Sequence, residues 1–541
     1  MPNLNEQQEK AVMCNDSKIV CLAGAGSGKT LSLIERICRL VDDGVDPLSI
    51  LVLTFTRAAA FEMRGRYFKR HLGDACPEFK TFHSFCYSLV LKDSVVRKAI
   101  GFSKVPAIAD EPSVKKIEQM AQLQTKVKLS KSQLSGKYIL TPKDKYEYEL
   151  YIKAKERLMK SECVITFDDL SRLISDLFVE DVECIKKYKD QYKYVMVDEF
   201  QDTDEVQYNF VNSFKNSKLF LVGDALQAIY SFRGADSSII KSLVDDPDWT
   251  TIKLYHNYRS CKCICEYANY NTHYSSPQHK VSLSTDKEGG FVKIFDLEYR
   301  IELDYEGNQT YIQPCEIEFL LEYLPTLHGT TAILTRTNNE CRAVIGALKS
   351  ANIKYVTSKR DVDTENILRS ITDNDYLVQW VSMFLNSNQY AQYLRLSEIE
   401  PDFNIEQFYT TFANNKKIKY RMDTVLSIRK IFKKDESYID KCFEILHLLG
   451  FDDASITGTL ESNKDVLACV IEAVKQVSES DIYVGTIHSV KGLEYDNVIL
   501  LGVNDTFYRL EGEDNLNLFY VGITRAKENL YVWKYKGDSI I

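Results

Sequence analysis

A glycine-rich segment near the start of the chain has the composition of a phosphate-binding loop. Ile19–Thr30, IVCLAGAGSGKT, combines an apolar strand, a flexible turn and a helix start. Backbone N–H groups at a helix N-terminus bind phosphates, and in this pattern a lysine reaches the β- and γ-phosphates while a hydroxyl binds Mg²⁺. Ala23 takes the place of the first glycine in the strict pattern. The segment predicts a nucleoside triphosphate site formed by Ala23, Gly24, Ala25, Gly26, Ser27, Gly28, Lys29 and Thr30.

Two adjacent acids follow another apolar strand. In Tyr192–Asp204, YKYVMVDEFQDTD, the apolar run ends at Asp198 and Glu199. Parallel α/β sheets bind ligands at the carboxyl ends of their strands. We expect Asp198 to hold Mg²⁺ through water and Glu199 to orient and deprotonate an attacking water. Acidic loop ends are common, but the phosphate loop favours the catalytic interpretation. GTPases, transport ATPases, kinases and motors all share these two elements.

In a third segment, an amide, two aromatic rings and a guanidinium follow one another closely after a predicted strand. It is Val222–Ala235, VGDALQAIYSFRGA, in which the strand ends at Asp224 and the crowded residues are Gln227, Tyr230, Phe232 and Arg233. Aromatic rings can stack on nucleic-acid bases of any sequence. Core packing is the ordinary alternative for two aromatics at this spacing. Both interpretations stay open at this point.

The composition is that of a globular protein with several domains. The chain has 541 residues, of which 45% are hydrophobic and 27% charged, too many for one ordinary core. A net charge of −9 argues against a surface coated with phosphate-binding charge, but not against a local groove that stacks bases. No signal peptide is evident, and no apolar run approaches the ~20 residues that cross a bilayer. With its 14 cysteines interpreted as reduced thiols, we expect a cytoplasmic protein without membrane contact.

Strand and helix patterns alternate in two separate blocks. The predicted strands are Ile19–Ala23, Ile50–Phe55, Tyr194–Val197 and Leu219–Val222 in the first block and Phe291–Phe295, Thr331–Thr335, Ile482–Thr486, Val498–Val503 and Leu530–Trp533 in the second. This alternation predicts an α/β fold with two doubly wound parallel sheets. Residues of about 86–165 and about 365–480 carry Lys, Glu, Leu and Tyr at helical spacing. We expect them to form helical subdomains inserted into the sheets.

A series of segments resembles the motifs of superfamily 1A DNA helicases of the UvrD, Rep and PcrA type, in order and along nearly the whole chain. Besides the three segments above, they are LNEQQEKAV (4–12), LTFTRAAAFEM (53–63), TFHSF (81–85), LYHNYRS (254–260), AILTR (332–336), VGTIHSVKGLEYD (484–496) and NLFYVGITRAK (517–527). One such match could arise by chance, but the ordered series could not. The resemblance implies an ATP hydrolase and DNA helicase with two RecA-like domains, 1A and 2A. The boundaries we expect are 1–85 and 166–250 for domain 1A, 86–165 for helical insertion 1B, 251–364 and 481–541 for domain 2A, and 365–480 for a reduced helical insertion 2B.

The resemblance also implies roles around the nucleotide, which would be ATP with Mg²⁺. The implied contacts with base and ribose are Gln8 at the adenine edge, Tyr258 stacked on adenine and Glu494 on the ribose. The implied metal contacts are Thr30 and Asp198. The implied catalytic residues are Lys29, Glu199, Gln227 as the γ-phosphate sensor, and Arg259 and Arg525 as arginine fingers from the second sheet. Guanidinium groups in such positions stabilise charge on the transferring phosphoryl group.

The implied polymer is single-stranded DNA or a tailed duplex, along which the protein would move 3′ to 5′. The residues implied to touch DNA are Phe55, Thr81, His83, Tyr230, Phe232, Arg233, Thr486 and His488. The third segment would then face ATP through Gln227 and DNA through its two rings. An RNA polymer stays open, because stacking alone does not register the 2′-OH.

The chain departs from the family pattern at two points. Asn517 stands where many relatives have arginine, which leaves Arg525 as the arginine finger of this motif. The second insertion is short, which keeps other functions open. One alternative is a DNA-stimulated ATPase subunit with weak unwinding, beside a nuclease in a repair or phage-defence complex. Another is a nucleotide-bound nucleic-acid binding module without turnover. The full set of catalytic groups argues against this last alternative.

Overall fold

Two parallel β-sheets form the framework of the protein. The computed structural model describes residues 4–71, 75–109, 111–127, 129, 141–297, 300–303, 309–312, 314–357, 370, 377, 405–412, 414–432, 441, 444–445, 481–503 and 513–535. The described strands are β1 (Lys18–Ala23), β2 (Ile50–Thr54), β3 (Glu78–Thr81), β4 (Ala107–Ile108), β5 (Val164–Ile165), β6 (Tyr194–Val197), β7 (Lys218–Gly223), β8 (Thr250–Leu254), β9 (Phe291–Leu297), β10 (Arg300–Leu303), β11 (Gln309–Ile312), β12 (Thr331–Thr335), β13 (Ile482–Thr486), β14 (Tyr495–Val503) and β15 (Ala526–Tyr535). The first sheet has the order β3-β2-β6-β7-β1-β8 and the second the order β13-β12-β14-β15-β9, with parallel pairing throughout.

Helices connect and cover the strands. The described α-helices are Glu6–Met13, Lys29–Asp42, Arg57–Phe68, Phe82–Lys92, Ser94–Ala99, Glu111–Thr125, Pro142–Ser161, Phe167–Val179, Glu183–Gln191, Glu205–Asn212, Ser237–Asp245, Lys262–Tyr270, Pro314–Tyr323, Asn338–Ser350, Ile405–Phe412, Lys416–Phe432 and Glu513–Ile523. None of these described helices combines the length and apolar character needed to cross a membrane.

The central strands are buried on both faces, which explains their continuous apolar runs. In β1, Val20 and Leu22 pack into one apolar cluster, whereas Ile19 and Cys21 pack into another on the opposite face. The second sheet divides its strand residues between two clusters in the same way. The α/β fold with two doubly wound parallel sheets is therefore confirmed.

One apolar cluster joins the two sheets. Leu226 and Ile229, which follow β7 of the first sheet, pack in the same cluster as Leu500 of β14 and Leu530 of β15. Ala25 of the glycine-rich loop belongs to this cluster too. The loop and the turn after β7 therefore rest directly against elements of the second sheet.

All the predicted strands are present, and two further strands extend the first sheet. β3 and β8 form its edges, and β8 takes in residues up to Leu254 that the expected boundary at 250 assigned to the second domain. The domain boundaries stay predictions. Most of the expected insertion at 365–480 lies outside the described residues, and its longest described pieces are the helices Ile405–Phe412 and Lys416–Phe432.

Candidate functional site

The glycine-rich loop between β1 and the helix Lys29–Asp42 is held in a conformation that needs glycine. Gly26 and Gly28 have φ angles of 68° and 82°, in the left-handed region. A Cβ on Gly26 would lie 2.8 Å from Cβ of Arg259 and 2.8 Å from Nδ2 of Asn257. Both backbone freedom and close approach therefore require glycine at position 26. The loop is in contact with the segment that follows β8.

Lys29 and the two acids meet at the carboxyl ends of β1 and β6. Lys29 Nζ lies 3.7 Å from Glu199 Oε2, and Asp198 is buried. Within the described part of the chain, neither Lys29 Nζ nor Asp198 Oδ1 has a hydrogen-bond partner. A buried cation and a buried carboxylate oxygen without partners are suited to a phosphate and to a hard divalent ion. Thr30, at the helix start, adds a hydroxyl beside Lys29.

The surroundings of Asp198 and Glu199 shift the pKa values of the two acids in opposite directions. Burial raises the pKa of Asp198, and the adjacent charge of Glu199 raises it further. Burial also opposes ionisation of Glu199, but the charges of Lys29 and Lys491 outweigh it and hold the pKa of Glu199 below its usual range. Glu199 also has a φ of 52°, unusual for a residue other than glycine. The ionised member of the pair is thus the one predicted to accept a proton from water.

The side chains predicted to contact the base and the ribose form hydrogen bonds within the protein. Gln8 is buried, its Nε2 donates to Ser27 O (2.9 Å), and its Oε1 accepts from Asn5 N (3.1 Å). Gln8 thereby caps its own helix and steadies the glycine-rich loop. Tyr258 accepts a hydrogen bond from Asn5 Nδ2 (2.8 Å), and its side chain is half exposed. Glu494 accepts from Nε of Arg259 (2.8 Å).

The two predicted arginine fingers both lie at the junction of the sheets. Arg259 lies between β8 of the first sheet and the helix Lys262–Tyr270, which packs against the second sheet, and its Nη1 donates to Thr524 O (2.9 Å). Arg525 directly precedes β15 and is 1% exposed, with Nη2 3.4 Å from Gln227 Oε1. Burial and the charge of Arg259 lower the pKa of Arg525 to about 9, so the guanidinium stays charged at neutral pH.

The turn after β7 is tied to the acids by side-chain amides. Gln201 donates to Glu199 Oε2 (2.6 Å) and accepts from the backbone N–H of Asp224 (3.0 Å). Gln227 donates in turn to Asp224 Oδ2 (2.6 Å). A continuous chain of hydrogen bonds therefore links Glu199 to Gln227.

The predicted DNA-contacting rings form one cluster. The rings of Phe55 and Tyr230 are stacked, with centroids 5.4 Å apart. Phe232 lies 6.0 Å from Tyr230 and 5.7 Å from His488, and the Arg233 guanidinium lies 5.2 Å from the Tyr230 ring. Phe232 is 59% exposed. Core packing is therefore wrong for Phe232, whereas Tyr230 is partly buried between Phe55, Arg233 and Lys491.

A cavity of about 500 Å³ connects this cluster to the acids. The residues that line it include Phe55, His83, Asp198, Glu199, Tyr230 and Arg233. Thr81 and Thr486 do not line this cavity. The Thr81 hydroxyl instead accepts from Ser84 N (3.2 Å) and caps the helix Phe82–Lys92, while Thr486 precedes the short 3₁₀ turn Ile487–Val490.

Sequence reasoning missed two residues that bind these parts together. Lys491 donates to Asp202 Oδ2 (2.5 Å) and to Gln227 O (2.8 Å). Asn257 is fully buried and donates to Ala25 O (2.7 Å) in the glycine-rich loop. Both lie inside quoted motif segments, and that membership was the available signal. Their partners could not be predicted.

Comparisons with known proteins show which proteins this chain is similar to. Residues 4–248 match the UvrD/REP helicase N-terminal domain, and residues 379–537 match the UvrD-like helicase C-terminal domain. The chain is 27% identical to the ATP-dependent DNA helicase PcrA of Staphylococcus epidermidis, over 98% of this chain and 83% of that protein. It is 28% identical to PcrA of Bacillus subtilis, over 99% and 83%. It is 26% identical to a probable DNA helicase II homolog of Mycoplasma capricolum, over 99% and 84%.

Proposed function

The chain belongs to the UvrD/Rep family of ATP-dependent DNA helicases, and on this premise we propose that it hydrolyses ATP between its two sheets to move along single-stranded DNA from 3′ to 5′. DNA binding and ATP use come with the family. The direction, the residue roles and the partners are our proposal, and the direction rests on the resemblance alone.

The proposed phosphate contacts are supported by the charges around the glycine-rich loop. Lys29 binds the β- and γ-phosphates, while Arg259 and Arg525 approach the γ-phosphate from the junction of the sheets. Thr30 and Asp198 are suited to hold Mg²⁺, which when bound neutralises charge on the phosphates. Glu199, kept ionised by Lys29 and Lys491, accepts the proton of the attacking water.

One observation carries the coupling of hydrolysis to movement. Gln227 contacts Arg525 at one end of a short turn, and Tyr230, three residues later, stacks on Phe55. A shift of the turn caused by ATP therefore reaches the rings that hold a base. Closure around the nucleotide followed by reopening would alternate the grip on the strand, which is a hinge-type cycle.

The experiment is a pair of measurements on the full chain. ATP hydrolysis is measured without polymer, with single-stranded DNA and with RNA, and strand separation is then measured on duplexes with a 3′ or a 5′ tail. We expect stimulation by DNA and unwinding of the 3′-tailed duplex only. Unwinding of the 5′-tailed duplex alone would overturn the direction.

Stimulation without strand separation would favour the second candidate, a DNA-stimulated ATPase that acts beside a partner such as a nuclease in repair or phage defence. The short second insertion supports that candidate. Hydrolysis that is indifferent to every polymer would contradict both candidates.

A further inference from the structure

The turn that carries Gln227 is held by side chains from the second sheet. Three of its backbone carbonyls accept such hydrogen bonds. Asn517 Nδ2 donates to Ala225 O (3.2 Å) and to Ala228 O (3.1 Å), and Lys491 Nζ donates to Gln227 O (2.8 Å). Lys491 follows β13, and Asn517 lies on the helix Glu513–Ile523, which leads into β15. The backbone on both sides of Gln227 is thus fixed from across the junction.

Asn517 is chemically matched to this task. It is 2% exposed, and both N–H bonds of its amide are used by the two carbonyls. Its Oδ1 accepts from the hydroxyl of Tyr274 (2.9 Å), which fixes the orientation of the amide. A buried amide with its polar groups paired is stable, whereas a carboxylate at the same place would face two carbonyl oxygens.

We propose that Asn517 is a positioning residue that couples the movement of Arg525 to Gln227 and to Tyr230. The inference rests on the proposed function, in which Arg525 meets the γ-phosphate. Asn517 lies six residues before the end of its helix, and Arg525 follows that helix by two residues, so the two move as one element. A displacement of Arg525 toward ATP therefore pulls Ala225 and Ala228.

The same turn would transmit this displacement to the rings that are proposed to contact DNA. Ala228 lies two residues before Tyr230, whose ring is stacked on Phe55. Asn517 does not line the cavity beside the acids, and its amide is used by Ala225, Ala228 and Tyr274. Its loss should therefore leave ATP binding largely intact and slow the step that needs Gln227 in place.

The test compares Asn517→Ala, Asn517→Asp and Tyr274→Phe with the wild type. For each we would measure kcat and KM for ATP with saturating single-stranded DNA, the Kd for DNA without nucleotide, and thermal unfolding. We expect kcat to fall about 10-fold in Asn517→Ala, which corresponds to about 1.4 kcal/mol, with KM and Kd changed less than about 3-fold. The kcat of Asn517→Asp should fall further, because the carboxylate oxygens repel the carbonyl oxygens of Ala225 and Ala228. Tyr274→Phe leaves both donors of the Asn517 amide in place, so its kcat should fall less than about 3-fold.

Three outcomes would overturn the inference. The first is a wild-type kcat in both Asn517 variants. The second is a fall in kcat together with a rise in KM and a loss of thermal stability, because that would indicate that Asn517 acts only through packing of the fold. The third is a lower unfolding temperature with kcat per folded molecule unchanged. If instead the wild type shows no stimulation by DNA, the proposed function fails, and the variants need not be compared to see it.

Discussion

The ring of Tyr230 lies almost parallel to the ring of Phe55, with 13° between their planes and 5.4 Å between their centroids. Phe55 follows β2 and Tyr230 follows the turn after β7, and β6 lies between these two strands in the sheet. β6 is followed directly by Asp198 and Glu199, which line the same cavity as the two rings. The stacked pair therefore lies beside the acids.

Removing the Tyr230 ring should weaken the grip on DNA. Stacking of one base on an aromatic ring contributes ~1–3 kcal/mol, so Tyr230→Ala should raise the Kd for single-stranded DNA roughly 5- to 150-fold. Tyr230→Phe keeps the ring and should bind nearly as the wild type does. Fluorescence anisotropy with a labelled oligonucleotide measures both. Equal weakening by the two variants would mean that the hydroxyl, not the ring, makes the contact.

Replacing Lys29 should stop hydrolysis while the fold persists. Its ammonium group is the cation closest to Glu199, at 3.7 Å, among the ion pairs described. Without it, we expect Lys29→Ala to lose at least ~100-fold in kcat, the order of magnitude for losing one preorganised charge contact. Steady-state ATPase assays measure the loss, and circular dichroism checks the fold. Hydrolysis at the wild-type rate in a folded variant would refute the phosphate site.

The two arginines should differ in what they do for stability. Arg525 is 1% exposed, and Arg259 is paired with Glu494, which is partly exposed. Both Arg→Lys variants should lower kcat by ~10³-fold or more, because an arginine finger contributes ~10³–10⁵. Only Arg525→Lys should also lower the thermal unfolding temperature clearly, because its guanidinium donates to buried acceptors. A destabilised Arg259→Lys with normal kcat would reverse these assignments.

The sequence predicted the central strands of both sheets but missed two edges of the first. Its central strands are buried along nearly their full length, so they read as unbroken apolar runs. β3 (EFKT) and β8 (TTIKL) are edge strands with partly exposed, polar residues, and their pattern is too weak for prediction.

The sequence motifs predicted which residues form the site, but they did not predict which of these residues form hydrogen bonds with one another. The motifs pointed to Gln227 and Arg525, which meet although 298 positions separate them. They gave no indication that Lys491 would bind Gln227 O, because that contact depends on how the two sheets pack. Gln8 illustrates the same limit, since its capping of the helix Glu6–Met13 involves a neighbouring asparagine whose geometry only the fold reveals.

His488 should make the stability of the protein depend on pH. Burial, together with the charges of Arg336 and Arg233, lowers the pKa of His488 from 6.5 to about 4, and Lys491 acts in the same direction. Above pH 6.5 the imidazole is neutral in both the folded and the unfolded chain and contributes nothing. As the pH falls from 6.5 to 4, the unfolded chain binds a proton that the folded chain refuses, so the free energy of unfolding decreases.

His488→Gln should remove this part of the pH dependence. At pH 5 the full pKa shift corresponds to roughly 2 kcal/mol. Solvent screening of this partly exposed group reduces the penalty, so between pH 7.5 and pH 5 the variant should lose up to about 2 kcal/mol less stability than the wild type. Urea unfolding at the two pH values measures it. His273→Gln, at an exposed histidine, is the matched control and should follow the wild type. If His488→Gln loses as much stability as the control, His488 is not the group that resists protonation in the folded protein.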